Sequence, residues 1–212
     1  MENGVSNNLK FFLLITLILA TVGAQASSVM VDGAVWSVSS SASGNAVIGS
    51  VPLTPANITF SFTTTSALNF ASGDDNSVYA FFESGGVPAG AFVGADMGFN
   101  DTITMFTVNN FTLAHNTPFT LGHDDGASFY INGNIFYTNP GPTSFQVNTF
   151  TYSGPTVTGG TLQIVYGECC GAPGYFETNL PTGGTTPEPG TLVMVGSGAL
   201  GLVGVIRRKI KL

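Results

Sequence analysis

Short runs in which apolar and polar residues alternate recur along the middle of the chain, separated by residues that favour turns. The clearest run is Ile58-Thr59-Phe60-Ser61-Phe62-Thr63. Neighbouring side chains of a β-strand point to opposite faces, so this pattern predicts a strand that buries its apolar residues and turns its hydroxyl groups to water. No segment between the two chain ends shows the spacing typical of an amphipathic helix. We therefore expect an all-β domain.

The predicted strands recur at a spacing typical of an antiparallel β-sandwich. They cover residues 34–40, 58–64, 77–82, 102–113, 118–123, 128–131, 134–138, 144–152 and 162–166. Asn132-Gly133 joins two of them through a two-residue link, which predicts a hairpin with a type I′ turn. Asp32-Gly33 predicts a further turn. By length, residues 27–180 form one domain.

The N-terminal residues 1–26 have a different pattern. Lys10 precedes an unbroken apolar run, and the segment ends in Ala24-Gln25-Ala26, a small-x-small sequence that signal peptidase accepts. This predicts a secretory signal peptide that is cleaved after Ala26. A retained membrane anchor, the alternative, needs a longer apolar core.

The C-terminal part of the chain predicts a membrane segment. Residues 191–206 carry no charge and are rich in Gly, Leu and Val, and a basic tail follows at 207–212. This order predicts a transmembrane helix with a cytoplasmic basic end. Residues 181–190 contain several Pro, Gly and Thr residues and predict a linker between the domain and the helix.

The sequence Pro187-Glu188-Pro189, the short apolar helix and the terminal pair Arg207-Arg208 occur in this order. The arrangement resembles the PEP-CTERM sorting signal of Gram-negative bacteria. The resemblance implies recognition by an exosortase, a membrane transpeptidase-like protease that cuts near the Pro-Glu-Pro sequence. The expected location is the inner membrane transiently, and then the cell surface or the extracellular space.

Charge is scarce in the domain and entirely acidic. Only 8% of all residues are charged and 43% are hydrophobic, which excludes a disordered chain. The five Lys and Arg residues lie at Lys10 and between 207 and 211. Without a basic patch the domain cannot displace phosphate counterions, so we exclude nucleic acid as a partner. Its carboxylates must be hydrated, hydrogen-bonded or bound to a cation.

Asp124 and Asp125 are the best candidates for binding a cation. They lie between Gly122 and Gly126 at the end of one predicted strand and just before the hairpin. Calcium prefers the hard oxygen ligands that such a loop offers. The alternative is a solvated turn whose carboxylates cap backbone amides. The same alternative is favoured for a second acidic pair, Asp74-Asp75.

Two segments carry a second resemblance, GHDDGASFYINGNIFYTNPGPTSF and TLQIVYGECCGAPGYFET. They resemble the carbohydrate-binding β-sandwich domain named for the anthrax protective antigen. The resemblance implies that Asp124 and Asp125 hold a calcium ion, and that Glu168 completes the site and meets sugar hydroxyls. Glu168 stands where calcium-dependent lectins of this family usually have Asn, and Asn132 where the family usually has Asp.

Cys169 and Cys170 follow this candidate ligand directly and are the chain's two cysteines. A disulfide to a third cysteine is impossible, which leaves a vicinal disulfide, intermolecular bridges or free thiols. The oxidising environment of an exported protein favours the vicinal bond.

Catalytic motifs are scarce. The chain has two histidines, His115 and His123, which we expect to be structural or surface residues, and no phosphate loop, metalloprotease helix or nucleophile elbow. We therefore expect no enzyme, but a cell-surface or extracellular-matrix protein that binds extracellular glycan or polysaccharide with the help of calcium. The alternatives are a structural biofilm-matrix protein without a specific ligand and, less favoured, a glycoside hydrolase that uses Glu168 and an Asp as paired carboxylates.

Overall fold

A computed structural model describes residues 28–65, 67–71, 77–171 and 173–179 of the protein. The strands are β1 Val29–Ser37, β2 Ile58–Thr64, β3 Leu68–Ala71, β4 Phe92–Val93, β5 Thr102–Leu113, β6 Pro118–His123, β7 Gly126–Ile131, β8 Asn134–Asn139, β9 Gln146–Thr151, β10 Val157–Glu168 and β11 Tyr175–Thr178. The α-helices are α1 Ser40–Ser43 and α2 Val78–Ser84, and short 3₁₀ turns lie at Ile48–Ser50 and Ala89–Ala91.

The strands form two antiparallel sheets. The larger sheet has seven strands in the order β4-β2-β1-β5-β10-β7-β8, and the smaller has four in the order β3-β11-β6-β9. Apolar side chains from both sheets meet in one buried cluster. The predicted antiparallel β-sandwich is confirmed.

Aromatic rings dominate the core between the sheets. The ring of Phe106 from β5 lies 5.5 Å from the rings of both Phe70 on β3 and Phe176 on β11. In β2, Phe60 and Phe62 are buried while the threonine and serine between and beside them are exposed, as the alternation predicts. Such rings bury a large apolar area each, which allows a sandwich to form a core without long helices.

Part of the outer face of the larger sheet, over β5, β7 and β10, is covered by the chain that follows β1. A second apolar cluster there joins Ala46 to Ile103, Tyr130 and Val165 of strands β5, β7 and β10. Every residue of β7 is consequently buried. At Gly126, the first residue of β7, the carbonyl oxygen of Pro140 comes within 2.1 Å of the place that a Cβ atom would occupy, so only glycine fits.

Helix α2 corrects the strand predicted at 77–82. Val78, Phe81 and Phe82 are buried together because residues three and four apart lie on one side of a helix. The Ser77 hydroxyl caps the helix by accepting a hydrogen bond from the backbone nitrogen of Ala80 at 3.3 Å. The β-prone composition of this segment concealed its helical spacing.

The Asp32-Gly33 turn is also wrong, since both residues lie inside β1. Gly33 pairs with Phe60, whose ring fills the space where a side chain at position 33 would stand. The hairpin at Asn132-Gly133 is confirmed: φ is 51° and 75° at these residues, and Ile131 pairs with Asn134. Both positive φ values are those of a type I′ turn.

Several predicted features lie outside the described residues. These are the signal peptide, Asp74-Asp75, the linker, the transmembrane helix and the basic tail. Among the described residues, no helix has both the length and the apolar character needed to cross a bilayer.

Candidate functional site

Asp124 and Asp125 lie where the chain crosses from the smaller sheet to the larger one. They connect the end of β6 to the start of β7. The backbone nitrogen of Asp124 donates to the carbonyl of Tyr175 at 3.3 Å, and its carbonyl accepts from the backbone nitrogen of Thr143 at 3.0 Å. These bonds fix the acidic pair against two neighbouring segments of the chain.

The carboxylate of Asp125 is held beside the cysteine pair. Its Oδ2 atom accepts a hydrogen bond from the backbone nitrogen of Cys169 at 2.6 Å. Burial raises the pKa of Asp125 to about 6, and the negative charge of Asp124 adds to this rise, while the bond from Cys169 opposes it. Only 7% of the residue is exposed.

The phenol of Tyr166 connects Asp124 to Glu168. Its oxygen lies 2.7 Å from Oδ1 of Asp124 and 2.7 Å from Oε2 of Glu168. A hydroxyl has one proton to donate, so the second contact needs a proton from a carboxyl group. Burial raises the pKa of Glu168 to about 9, which identifies Glu168 as the protonated acid. Glu168 then donates to Tyr166, and Tyr166 donates to Asp124.

His123 supports the same loop from inside the domain. Its side chain is fully buried, with Nδ1 2.9 Å from the carbonyl oxygen of Asp125 and Nε2 3.3 Å from the hydroxyl of Tyr137. Burial lowers the pKa of His123, so the neutral imidazole is favoured. His123 therefore has a structural role, since it supports the loop that carries Asp124 and Asp125.

A cavity of about 300 Å³ opens beside the two aspartates. It is lined by Asp124, Asp125, Thr143, Ser144, Phe145, Cys169, Cys170, Gly171, Pro173 and Tyr175. Glu168 is not part of this lining and is 1% exposed. The structure thus brings Asp124 and Asp125 to the cavity, whereas Glu168 contacts Asp124 through Tyr166.

Within the described ranges, no three His, Cys, Asp or Glu side chains form a cluster that could hold a metal ion. Oδ1 of Asp124 and Oδ2 of Asp125 accept the hydrogen bonds from Tyr166, the Asp125 backbone and Cys169. The remaining oxygens, Oδ2 of Asp124 and Oδ1 of Asp125, accept none of these three hydrogen bonds. The calcium site at Asp124, Asp125 and Glu168 stays a prediction.

The sulfur atoms of Cys169 and Cys170 are bonded to each other in the structure. Cys169 is buried, and Cys170 is exposed with a φ of 72°. The pair forms one wall of the cavity. The oxidation state of these cysteines in the exported protein stays a prediction.

Phe145 and Tyr175 belong to the cavity but are not predicted from the sequence. Their ring centroids lie 4.4 Å apart, and 48% of Phe145 is exposed. In the sequence, Phe145 looks like one more apolar residue of a strand, and only the folded structure shows that it stands outside the core. The sequence signal for Phe145 is that it is apolar and comes directly before the alternating residues of β9.

The C-terminal segment matches a known sorting signal. The family described as the PEP-CTERM protein-sorting motif matches residues 185–209. The chain carries this motif. The match includes Pro187, Glu188, Pro189, Arg207 and Arg208, so the predicted sorting signal is confirmed, and it supports export and sorting to the cell surface.

The domain is similar to a solved structure of a sugar-binding domain. A "PA14 sugar-binding domain from RTX adhesin" matches with a TM-score of 0.52 and 21% identity, over 72% of this chain and 90% of that one. The described domain has the PA14 fold. This agrees with the resemblance to the protective-antigen domain.

Other structures match less closely. The PA14 domain of the antifreeze protein MpAFP has a TM-score of 0.49 and 14% identity, over 74% of this chain and 85% of that one. A β-glucosidase from Kluyveromyces marxianus in complex with glucose has a TM-score of 0.36 and 13% identity, over 70% of this chain and 16% of that one. No curated protein matches the chain.

Proposed function

We propose that this exported protein is a glycan-binding or adhesion module of the cell surface, and that it binds its ligand in the cavity beside Asp124 and Asp125 with the help of calcium. The observation that supports this proposal is the cavity itself. Two carboxylates without a cationic partner line it together with hydroxyl and aromatic side chains. Concave sites of this kind, with few polar groups and an apolar wall, are typical of small-ligand binding.

The donor atoms at the cavity fit calcium. Carboxylate oxygens are the ligands that this ion prefers, and the loop carrying Asp124 is already fixed by backbone hydrogen bonds to Thr143 and Tyr175. We propose Asp124 and Asp125 as direct ligands. Glu168 completes the site by orienting Asp124 through Tyr166. Calcium, when bound, supplies a positive charge that sugar hydroxyls can approach.

Exosortase is the proposed partner during sorting, because residues 185–209 match the PEP-CTERM protein-sorting motif. The membrane is contacted through residues 191–206 before processing. After processing, extracellular glycan or polysaccharide is the proposed ligand. In this proposal the sorting motif acts first, during export, and the domain acts afterwards, when it meets its ligand outside the cell.

A calcium titration followed by thermal melting tests the metal site. Calcium at about a hundred times its dissociation constant adds about 2.7 kcal/mol to the free energy of unfolding, which raises the melting temperature measurably. Asp124→Asn should abolish this shift. It should leave the metal-free melting temperature nearly unchanged, because Asn keeps an oxygen that accepts the hydrogen bond from Tyr166.

Asp101→Asn is the matched control, since Asp101 carries the same charge but does not line the cavity. The control should keep the calcium shift in full. If calcium moves neither the wild type nor the variants, or moves all of them equally, the proposed metal site is wrong. Binding to a glycan array with calcium and with a chelator then tests glycan recognition separately. A protein that binds no glycan under either condition supports a structural matrix role.

A further inference from the structure

We propose that Phe145, supported by Tyr175, forms a platform on which a sugar ring of the ligand stacks, and that this platform restricts the ligand to uncharged pyranoses with one apolar face. The inference rests on the proposed function and adds to it the class of sugar and the residue that selects it. Neither the Phe145 ring nor the Tyr175 ring is a ligand in the proposed calcium site.

Phe145 lies outside the hydrophobic core, and its side chain is exposed to solvent. Among the described residues it is the most exposed Phe, Tyr or Trp, and 48% of it is accessible. The other exposed large apolar residues, such as Ile135 and Val147, are aliphatic. Because this ring also lines the cavity, it offers an apolar contact surface to a ligand there.

The pairing of β6 places the platform beside the acidic pair. His123, the last residue of β6, pairs with Gln146 of β9 on one side and with Phe176 of β11 on the other. Asp124, Phe145 and Tyr175 are the residues one step beyond these three partners. They therefore share one end of the smaller sheet, and all three line the same cavity.

The platform is rigid because both of its sides are tied to Asp124. The rings of Phe145 and Tyr175 contact each other at 4.4 Å with an interplanar angle of 57°. The carbonyl of Tyr175 accepts from the backbone nitrogen of Asp124, and Thr143, two residues before Phe145, donates to the Asp124 carbonyl. A ligand bound to the acidic pair therefore meets the platform at a fixed position.

The chemistry of this surface selects neutral sugars. The face of an aromatic ring carries partial negative charge and attracts the C–H groups on the apolar face of a pyranose. Cys170 and Pro173 extend the apolar wall. Asp124 and Asp125 carry the acidic groups of the cavity, and no Lys or Arg occurs between residues 28 and 179 to pair with an acidic sugar. In the calcium-bound site the two aspartates neutralise the charge of the ion, so the cavity offers no net positive charge to an acidic sugar. The negative face of the Phe145 ring disfavours a carboxylate stacked beside it.

The test measures binding of methyl glucoside, methyl galactoside, methyl mannoside, methyl fucoside and glucuronate by calorimetry in the presence of calcium. Wild type should bind at least one neutral methyl glycoside and not glucuronate. Phe145→Ala should weaken that binding by roughly tenfold. Phe145→Trp should retain it, because tryptophan keeps an aromatic face at the same position. The calcium-induced shift in melting temperature should be the same in all these proteins.

Val147→Ala is the matched control. Val147 is half exposed on the neighbouring strand β9 but does not line the cavity, so its truncation should leave sugar binding unchanged. The platform is wrong if Phe145→Ala binds like wild type, if its calcium shift is lost together with sugar binding, or if glucuronate binds as well as the neutral sugars. A calcium shift without binding of any sugar by wild type overturns both the platform and the proposed glycan function.

Discussion

Burial acts on the individual side chains around Asp124 in a way that favours their neutral forms. It raises the pKa of Asp125 to about 6 and that of Glu168 to about 9, and it lowers the pKa of His123. Hydrogen bonds replace ion pairs here because the domain has no lysine or arginine. Glu168 consequently belongs to the interior, where it shares a chain of hydrogen bonds with Tyr166 and Asp124.

Tyr166→Phe tests that chain of hydrogen bonds. The variant keeps the aromatic ring but leaves a buried carboxyl group without its partner, which should lower the free energy of unfolding by about 1–3 kcal/mol. Glu168→Gln should cost less, because the amide can still donate a hydrogen bond to the phenol oxygen. Chemical denaturation without calcium measures both. Equal losses in the two variants would contradict a protonated Glu168.

Cys169 and Cys170 lead to a separate prediction about exported protein. We expect the two sulfurs to be oxidised to each other, since they are the chain's two cysteines and are bonded in the structure. Alkylation without reductant should therefore label neither of them, and alkylation after reduction should label both. Ready labelling without reductant, or a dimer on a gel that reductant separates, would show that the vicinal bond does not form.

Among the strands, the local pattern of apolar and polar residues predicts the boundaries correctly where the strand is long or its turn has a distinctive sequence. β2, β5 and β6 have the boundaries that the alternation predicts, and the Asn132-Gly133 turn has the φ values that its residues favour. The pattern was insufficient for β3 and β11. Each has only four residues, too few for alternation to stand out, and each is stabilised by pairing with the other.

Helix α2 and the proposed platform at Phe145 and Tyr175 are not predicted from the sequence, for different reasons. In α2, β-prone aromatic residues follow a helical spacing, and tertiary packing decided between the two. The platform depends on contacts that no local pattern contains, because Phe145 and Tyr175 meet only after β9 and β11 have both paired with β6. The acidic pair is visible in the sequence because its two members are adjacent.

The sorting motif at 185–209 and the PA14 fold belong to different parts of the chain. The motif supports export and sorting to the cell surface, and the domain carries the proposed ligand site. The two can therefore be tested independently. A domain that keeps its calcium response after removal of the C-terminal segment would demonstrate this separation.

Both chain ends are predicted to be processed during export. We expect mature protein from the cell surface to lack residues 1–26 and to end near Pro187-Glu188-Pro189, because the N-terminal segment has a signal-peptide pattern and the C-terminal segment matches the sorting motif. Mass spectrometry of surface-extracted protein measures both ends. Recovery of Arg207 and Arg208 on most molecules would contradict cleavage near the motif.

Strand β11 also determines how the domain would respond to a mechanical load. It lies inside the smaller sheet, between β3 and β6, and the chain that leads to the sorting motif leaves from its end. Tension on a molecule attached at its C-terminus therefore enters through β11, which cannot be peeled away as an edge strand can, because two neighbouring strands hold it by hydrogen bonds. The first residue of that strand is Tyr175, so the force path inside the domain, from the end of β11 to a sugar on the proposed platform, is four residues long and bypasses the larger sheet.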